Sequence, residues 1–205
     1  MAAASHSRIG IFGGTFDPVH NTHCDIARAA AKQARLDRVF FVVAAHPPHK
    51  TEGVHAAPEQ RLAMVQAATA DLPRMEASAL ELHRDGTSYT VDTLREFGVL
   101  HPGADLFLIV GQDSLLDLPK WRSPEEILRR AHLLVAPRPT GGREIPEQLK
   151  DRYMLLPFKE TALSATEVRE RIMAGEPFGH LVPPAVERLI REEGIYHAHH
   201  ANPTR

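Results

Sequence analysis

The chain has 205 residues, 43% of them hydrophobic and 24% charged, which is the composition of a globular protein with room for one full core. Its 24 basic and 26 acidic side chains nearly cancel, so no general nucleic-acid or membrane surface is built in, and any anionic ligand must be met by local groups. A single cysteine, Cys24, excludes an intrachain disulfide framework and fits a reducing cytoplasm.

The first element runs from Arg8, where Ile9, Ile11 and Phe12 give an apolar strand that Gly13-Gly14 ends. Asp17-Pro18 marks a turn, and residues 24–34 are rich in helix-favouring alanine. Further apolar runs fall at residues 38–44, 105–110, 132–136 and 153–156, with helical patterns at 58–70, 88–97 and 124–130. Continuously apolar strands separated by helices predict an α/β fold, a Rossmann-like doubly wound parallel sheet covered on both faces. In such a sheet ligands bind at the carboxyl ends of the strands. Residues 8–160 are expected to form this core within one domain. Ser164-Ala165-Thr166-Glu167 is a capping box opening a helix through Met173, and Pro183-Pro184 starts a second helix ending near Gly194. Residues 161–196 are therefore expected as a small helical C-terminal part, and the polar stretch 197–205 as a frayed tail. Its three histidines are read as disorder, and no metal site is assigned. No apolar stretch has the length of a membrane span and the start lacks a secretory h-region, so the protein is expected in the cytoplasm.

Chemistry concentrates at the ends of those strands. Gly13-Gly14 lets backbone N–H groups approach a ligand, and the helix behind offers the positive end of its dipole to phosphate, although a plain tight turn explains the glycines equally well. His20 and His23, three apart, would share one helix face and could donate to the same polyphosphate. After the second strand, Ala45-His46-Pro47-Pro48-His49-Lys50 is a stiffened loop whose His49 and Lys50 are donors or merely solvated groups. Gly111 allows close approach, and Asp113 can accept from a ribose hydroxyl or cap the next helix. Trp121, flanked by Lys120 and Arg122, is either core or a stacking face. Ser164, Thr166 and Arg169 add two hydroxyls, a helix N-terminus and a bidentate cation, a set suited to triphosphate.

The stretch Gly-Gly-Thr-Phe-Asp-Pro-Val-His-x-x-His resembles the signature of the nucleotidyltransferase superfamily with a His-x-Gly-His motif, and its wording resembles the bacterial nicotinate-mononucleotide adenylyltransferase branch. Where that family carries glycine before the second histidine, this chain has Thr22. Pro-Pro-His with a following basic residue, Gly-Gln-Asp-Ser-Leu…Trp, Ser88-Tyr89-Thr90 and Ser-x-Thr-x-x-Arg are similar to further blocks of the same family, in family order from about Ile9 to Tyr196. The resemblance implies joining the AMP part of ATP to nicotinate mononucleotide, giving deamido-NAD and pyrophosphate, with Mg²⁺ accompanying ATP. It implies ATP contacts at Gly13, Gly14, Thr15, Phe16, His20, His23, Gly111, Asp113, Ser164, Thr166 and Arg169. For the acceptor it implies His49, Lys50, Ser88, Tyr89, Thr90 and Trp121, with His20, His23, Lys50 and Arg169 acting in catalysis. No general base is needed, because the attacking phosphate oxygen is already ionised; catalysis would rest on positioning and electrostatics. Pantetheine-phosphate adenylyltransferases and cytidylyltransferases share the first and last blocks, and a nucleotide sensor without turnover is a further alternative. The expected partners are ATP and the mononucleotide, with neither nucleic acid nor membrane; a homo-oligomer stays open.

Overall fold

The computed structural model describes residues 6–46, 54–138, 144–159 and 163–196. Six strands, β1 (Arg8–Gly14), β2 (Arg38–Val43), β3 (Met75–Ser78), β4 (Asp105–Gly111), β5 (Ala131–Ala136) and β6 (Tyr153–Leu155), form one all-parallel sheet in the order 3-2-1-4-5-6. The α/β, doubly wound reading is thus what the chain adopts. The connections run outward in both directions from β1 and β4, so the two central strands define the switch point where ligands bind. β1 extends through both glycines, with Gly13 opposite Val42 and Gly14 opposite Val43. The strand therefore ends two residues later than its apolar run suggests.

Seven α-helices are described: α1 (Asn21–Gln33), α2 (Pro58–Thr69), α3 (Thr90–Leu100), α4 (Gln112–Asp117), α5 (Pro124–Arg130), α6 (Ala165–Met173) and α7 (Pro184–Glu193). Two apolar clusters cover the sheet. One joins Phe12, Phe41 and Ile109 to Ala27 and Ala30 of α1, Met64 and Val65 of α2, Val168 and Ile172 of α6, and Val186 and Ile190 of α7. The other joins Ile9, Ile11, Leu108 and Leu133 to Val91, Leu94 and Phe97 of α3, Leu115 of α4 and Ile127 of α5. The last two helices share the first cluster with β1, and α7 packs against α2, with Gly194 closing α7 at φ 62°. Two elements lie outside the sequence reading. β3 is a four-residue edge strand, Met-Glu-Ala-Ser, with too short an apolar pattern to stand out. α4 is a six-residue helix given no range in the sequence reading, and it starts at Gln112, ahead of the cap that Asp113 would have made.

Candidate active site

A cleft of about 740 Å³ opens over the carboxyl ends of β1 and β4. Its walls include Gly13, Gly14, Thr15, Phe16, His20, His23, Ser88, Tyr89, Thr90, Gly111, Asp113, Trp121, Ser164, Thr166 and Arg169. Every site residue expected from the sequence and described in the structure therefore lines one cleft. His49 and Lys50 lie outside the described residues.

The floor is the turn after β1. A Cβ on Gly13 would meet nothing within 4 Å, whereas one on Gly14 would stand 2.8 Å from the ring of Phe16. The two glycines thus differ: the first leaves open space above the strand, and the second admits a packed aromatic ring. Phe16 has a left-handed φ of 51° and turns its ring inward, edge-on to Phe12 at 5.7 Å and to His23 at 5.1 Å. What holds this turn is a pair of buried charges that sequence reasoning missed. Asp17 accepts from the backbone N–H groups of His55 (2.8 Å) and Ala56 (3.0 Å) and from the Tyr196 hydroxyl (2.8 Å). Arg61, fully buried on α2, donates to the carbonyls of Thr15 (2.8 Å) and Ala44 (2.7 Å). Burial disfavours the charged form of both Arg61 and the Tyr196 phenol, and lifts the phenol far above its usual range. Asp-Pro reads locally as a turn, and an arginine in a helical stretch reads as solvated; carbonyl acceptors carry no side-chain signature.

His20 is the residue before α1 rather than part of its first turn, and His23 is the third helical residue. The His20 N–H donates to His23 Nδ1 at 3.2 Å, so Nδ1 of His23 is an acceptor and its proton resides on Nε2. The two imidazoles lie with centroids 3.8 Å apart, as the spacing of three anticipates. His20 is 1% exposed; burial first, then the Arg138 cation, lowers its pKa to about 3. It therefore acts as a neutral donor or acceptor, and its Nδ1 is buried with no hydrogen-bond partner among the described residues. Thr22 is the second helical residue, buried and lining the cleft, so it is not a cap.

The opposite wall comes from the far end of the chain. Ser164 caps α6, its Oγ accepting from Glu167 N–H at 3.2 Å, as the capping box predicts. Arg169 donates to the Asp17 carbonyl at 2.7 Å and to Thr166 Oγ1 at 3.2 Å, which ties the last motif to the first. Its Nε is buried with no hydrogen-bond partner among the described residues. Asp113 caps nothing: α4 begins at Gln112, with Gly111 before it, and Asp113 instead faces Arg138 at 3.8 Å. Arg138, which also donates to the Leu163 carbonyl at 3.4 Å, is a cleft cation that sequence reasoning missed. Its signal was available: a cation directly after β5 at a strand's carboxyl end, as Lys50 is after β2.

The third region gathers Ser88, Tyr89 and Thr90 before and at the start of α3, with Trp121 across from them. Trp121 is half-buried, packing against the second apolar cluster while still facing the cleft, so it is partly core and partly wall. Ser88 accepts at long range from His46 N–H (3.4 Å) and donates to Glu81, a buried carboxyl whose pKa burial raises.

A parallel sheet in this strand order, with a glycine turn and two helix starts converging on one polar cleft, has the architecture of an α/β protein suited to holding a nucleotide at its switch point. The sequence model of the family described as Cytidylyltransferase-like matches residues 11–171, and the chain belongs to that family. Within it, the chain is 42% identical over 195 residues to a probable nicotinate-nucleotide adenylyltransferase of Synechococcus sp. (strain JA-3-3Ab), covering 92% of this chain and 94% of that one. It is 39% identical over 198 residues to the protein of the same description from Acidothermus cellulolyticus, covering 93% and 94%. Among solved structures, nicotinic acid mononucleotide adenylyltransferase of Plasmodium falciparum, complexed with NaAD, shares the fold at a TM-score of 0.75 and 18% identity, covering 93% of this chain and 98% of that one.

Proposed function

We propose that the protein transfers the AMP part of ATP to nicotinate mononucleotide, giving deamido-NAD and pyrophosphate. A phosphate oxygen of the mononucleotide attacks the α-phosphorus of ATP, and the bond from that phosphorus to the bridging oxygen of pyrophosphate breaks. The observation that carries the reading is the Arg169–Asp17 contact, which brings two helix starts and their motifs, 152 residues apart, to one cleft. Two buried nitrogens there, His20 Nδ1 and Arg169 Nε, have no hydrogen-bond partner among the described residues, and acceptors or donors on a polyphosphate would supply them.

On this reading Gly13, Gly14, Thr15 and Phe16 form the floor beneath ATP, Gly111 and Asp113 meet its nucleoside, and Ser164, Thr166 and Arg169 hold the leaving phosphates. His23 donates from Nε2. His20 is neutral, so the compensating positive charge comes from Arg169, Arg138 and Lys50. Ser88, Tyr89, Thr90, Trp121 and His49 meet the acceptor. Among the described residues no group of three His, Cys, Asp or Glu side chains is placed to hold a metal, and Asp17 is taken up by backbone N–H groups. Mg²⁺ would therefore enter on ATP itself, and no step is assigned to a protein-held metal. No described helix is long and apolar enough to cross a membrane.

Pyrophosphate release measured with ATP and, in turn, nicotinate mononucleotide, its amide counterpart and phosphopantetheine tests the assignment. The expected result is turnover with the pyridine mononucleotides and none with phosphopantetheine. Turnover with phosphopantetheine alone, or with no acceptor, would overturn it.

A further inference from the structure

The Asp17 carboxylate lies beside the cation that the proposed chemistry places on the leaving phosphates. Arg169 Nη1 stands 3.8 Å from Asp17 Oδ2, and the two side chains are 11% and 2% exposed. Where water is largely excluded opposite charges attract strongly, and an unhindered aspartate would close on the guanidinium as a bidentate pair at about 2.8 Å. It does not close. Oδ1 already accepts from the Tyr196 hydroxyl (2.8 Å) and Ala56 N–H (3.0 Å), and Oδ2 accepts from His55 N–H (2.8 Å). Arg169 therefore keeps its donors for other acceptors. Nη1 reaches the Asp17 main-chain carbonyl at 2.7 Å, Nη2 reaches Thr166 Oγ1 at 3.2 Å, and Nε is buried with no hydrogen-bond partner among the described residues. Arg61 does not compete for the carboxylate, because its donors go to the carbonyls of Thr15, Ala44 and Ala56. Two cations thus flank one buried carboxylate, and whether it neutralises Arg169 depends on what else holds it.

Of the three groups that hold it, only Tyr196 contributes a side chain. Its backbone has a left-handed φ of 66°, a conformation uncommon outside glycine, so the chain accepts local strain at the residue that presents this hydroxyl. The ring packs on the first apolar cluster, with the hydroxyl also 3.9 Å from Met64 Sδ. We propose that Tyr196 is a positioning residue for pyrophosphate: by holding Asp17 Oδ1 it keeps the carboxylate off Arg169 and leaves the guanidinium free for the anionic leaving group. The inference rests on the reading of Arg169 as a holder of the leaving phosphates.

The test combines calorimetric titration with pyrophosphate and steady-state kinetics at 25 °C on the parent, Tyr196→Phe, Arg169→Gln and the double variant. A cost of about one hydrogen bond leaves Tyr196→Phe folded at that temperature. Without the hydroxyl the carboxylate turns toward Arg169. Pyrophosphate affinity and kcat/KM for ATP should then each fall about five- to tenfold, the loss of one charge-assisted contact, while the KM for nicotinate mononucleotide stays within about twofold. In the Arg169→Gln background there is no cation for Asp17 to capture, so removing the hydroxyl should change pyrophosphate affinity less than about twofold. A Tyr196→Phe protein that binds pyrophosphate as the parent does, whatever its Tm, makes the tyrosine a structural tie only and overturns the proposal. An equal loss in both backgrounds overturns it as well, since the hydroxyl would then act without Arg169. Both results leave the role of Arg169 intact. An Arg169→Gln protein with the parent's pyrophosphate affinity overturns that role, and this inference with it.

Discussion

Asp17→Asn should destabilise the protein more than any other single-atom change near the cleft. Asp17 is 2% exposed and divides its work between two oxygens. Oδ1 accepts from Ala56 N–H and the Tyr196 hydroxyl, and Oδ2 accepts from His55 N–H with Arg169 Nη1 at 3.8 Å. Asparagine can keep Oδ1 in place, but its NH₂ group then faces the His55 N–H and the Arg169 guanidinium. One charge-assisted bond is lost, a buried donor is orphaned, and an 11%-exposed cation loses its counter-charge. Bonds to charged groups contribute about 1.5–3 kcal/mol, so the combined cost is about 3 kcal/mol. At roughly 2–4 °C per kcal/mol for a chain of this size, Tm should fall about 6–12 °C. Tyr196→Phe removes only the hydroxyl and should cost about 1.5 kcal/mol. Because both act on one carboxylate, the double variant should fall short of the sum by at least about 0.5 kcal/mol. Thermal melts of the four proteins provide the cycle. A Tm for Asp17→Asn within about 2 °C of the parent, or strict additivity of the pair, would refute the claim that this buried carboxylate organises the turn.

Gly13→Ala should leave Tm unchanged, since its Cβ meets no protein atom, yet weaken ATP binding about tenfold by filling the space above the strand; calorimetric titration measures it. His20, with its pKa lowered to about 3, stays unprotonated in the fold while the unfolded chain protonates near 6.5, so its contribution is present above 6.5 and lost as pH falls toward 3. Urea titrations from pH 7 to 4 should therefore show His20→Asn losing stability less steeply than the parent, by up to about 1.4 kcal/mol per pH unit. Thr22→Gly, at the second position of α1, should lower Tm by about 2–4 °C through helix propensity and raise turnover at most a few-fold. Activity that appears only in the glycine variant would mean the threonine site is inactive.

The central strands were legible because both faces of β1, β2, β4 and β5 are buried, which demands unbroken apolar runs such as Val-Phe-Phe-Val-Val. β3 borders a single neighbour and needs no such run, so it gave no sign. The cleft was legible for a related reason: glycine turns and caps at strand ends are local chemistry, and the fold carries strand ends to one rim. Arg61, Asp17 and Tyr196 were not, since each acts through a partner far away in sequence. Lys and Arg ordinarily mark surface, and only a row of unpaired carbonyls, invisible in a sequence, turns Arg61 inward. Asp113 shows the opposite failure, where a locally sensible cap yields to a distant cation.

The bond from Tyr196 to Asp17 spans 179 residues and sets an order of events during synthesis. The turn after β1 leaves the ribosome 179 residues ahead of its tyrosine hydrogen-bond donor. At about 5–20 residues per second, that interval is on the order of ten to thirty seconds. Until residue 169 emerges the carboxylate of Asp17 and the underside of the turn lack both Arg169 and the tyrosine hydroxyl, and until Tyr196 follows they still lack the hydroxyl. Nucleotide capture by a nascent chain should therefore be weak, and a ribosome stalled before Arg169 carries a sheet without a working rim.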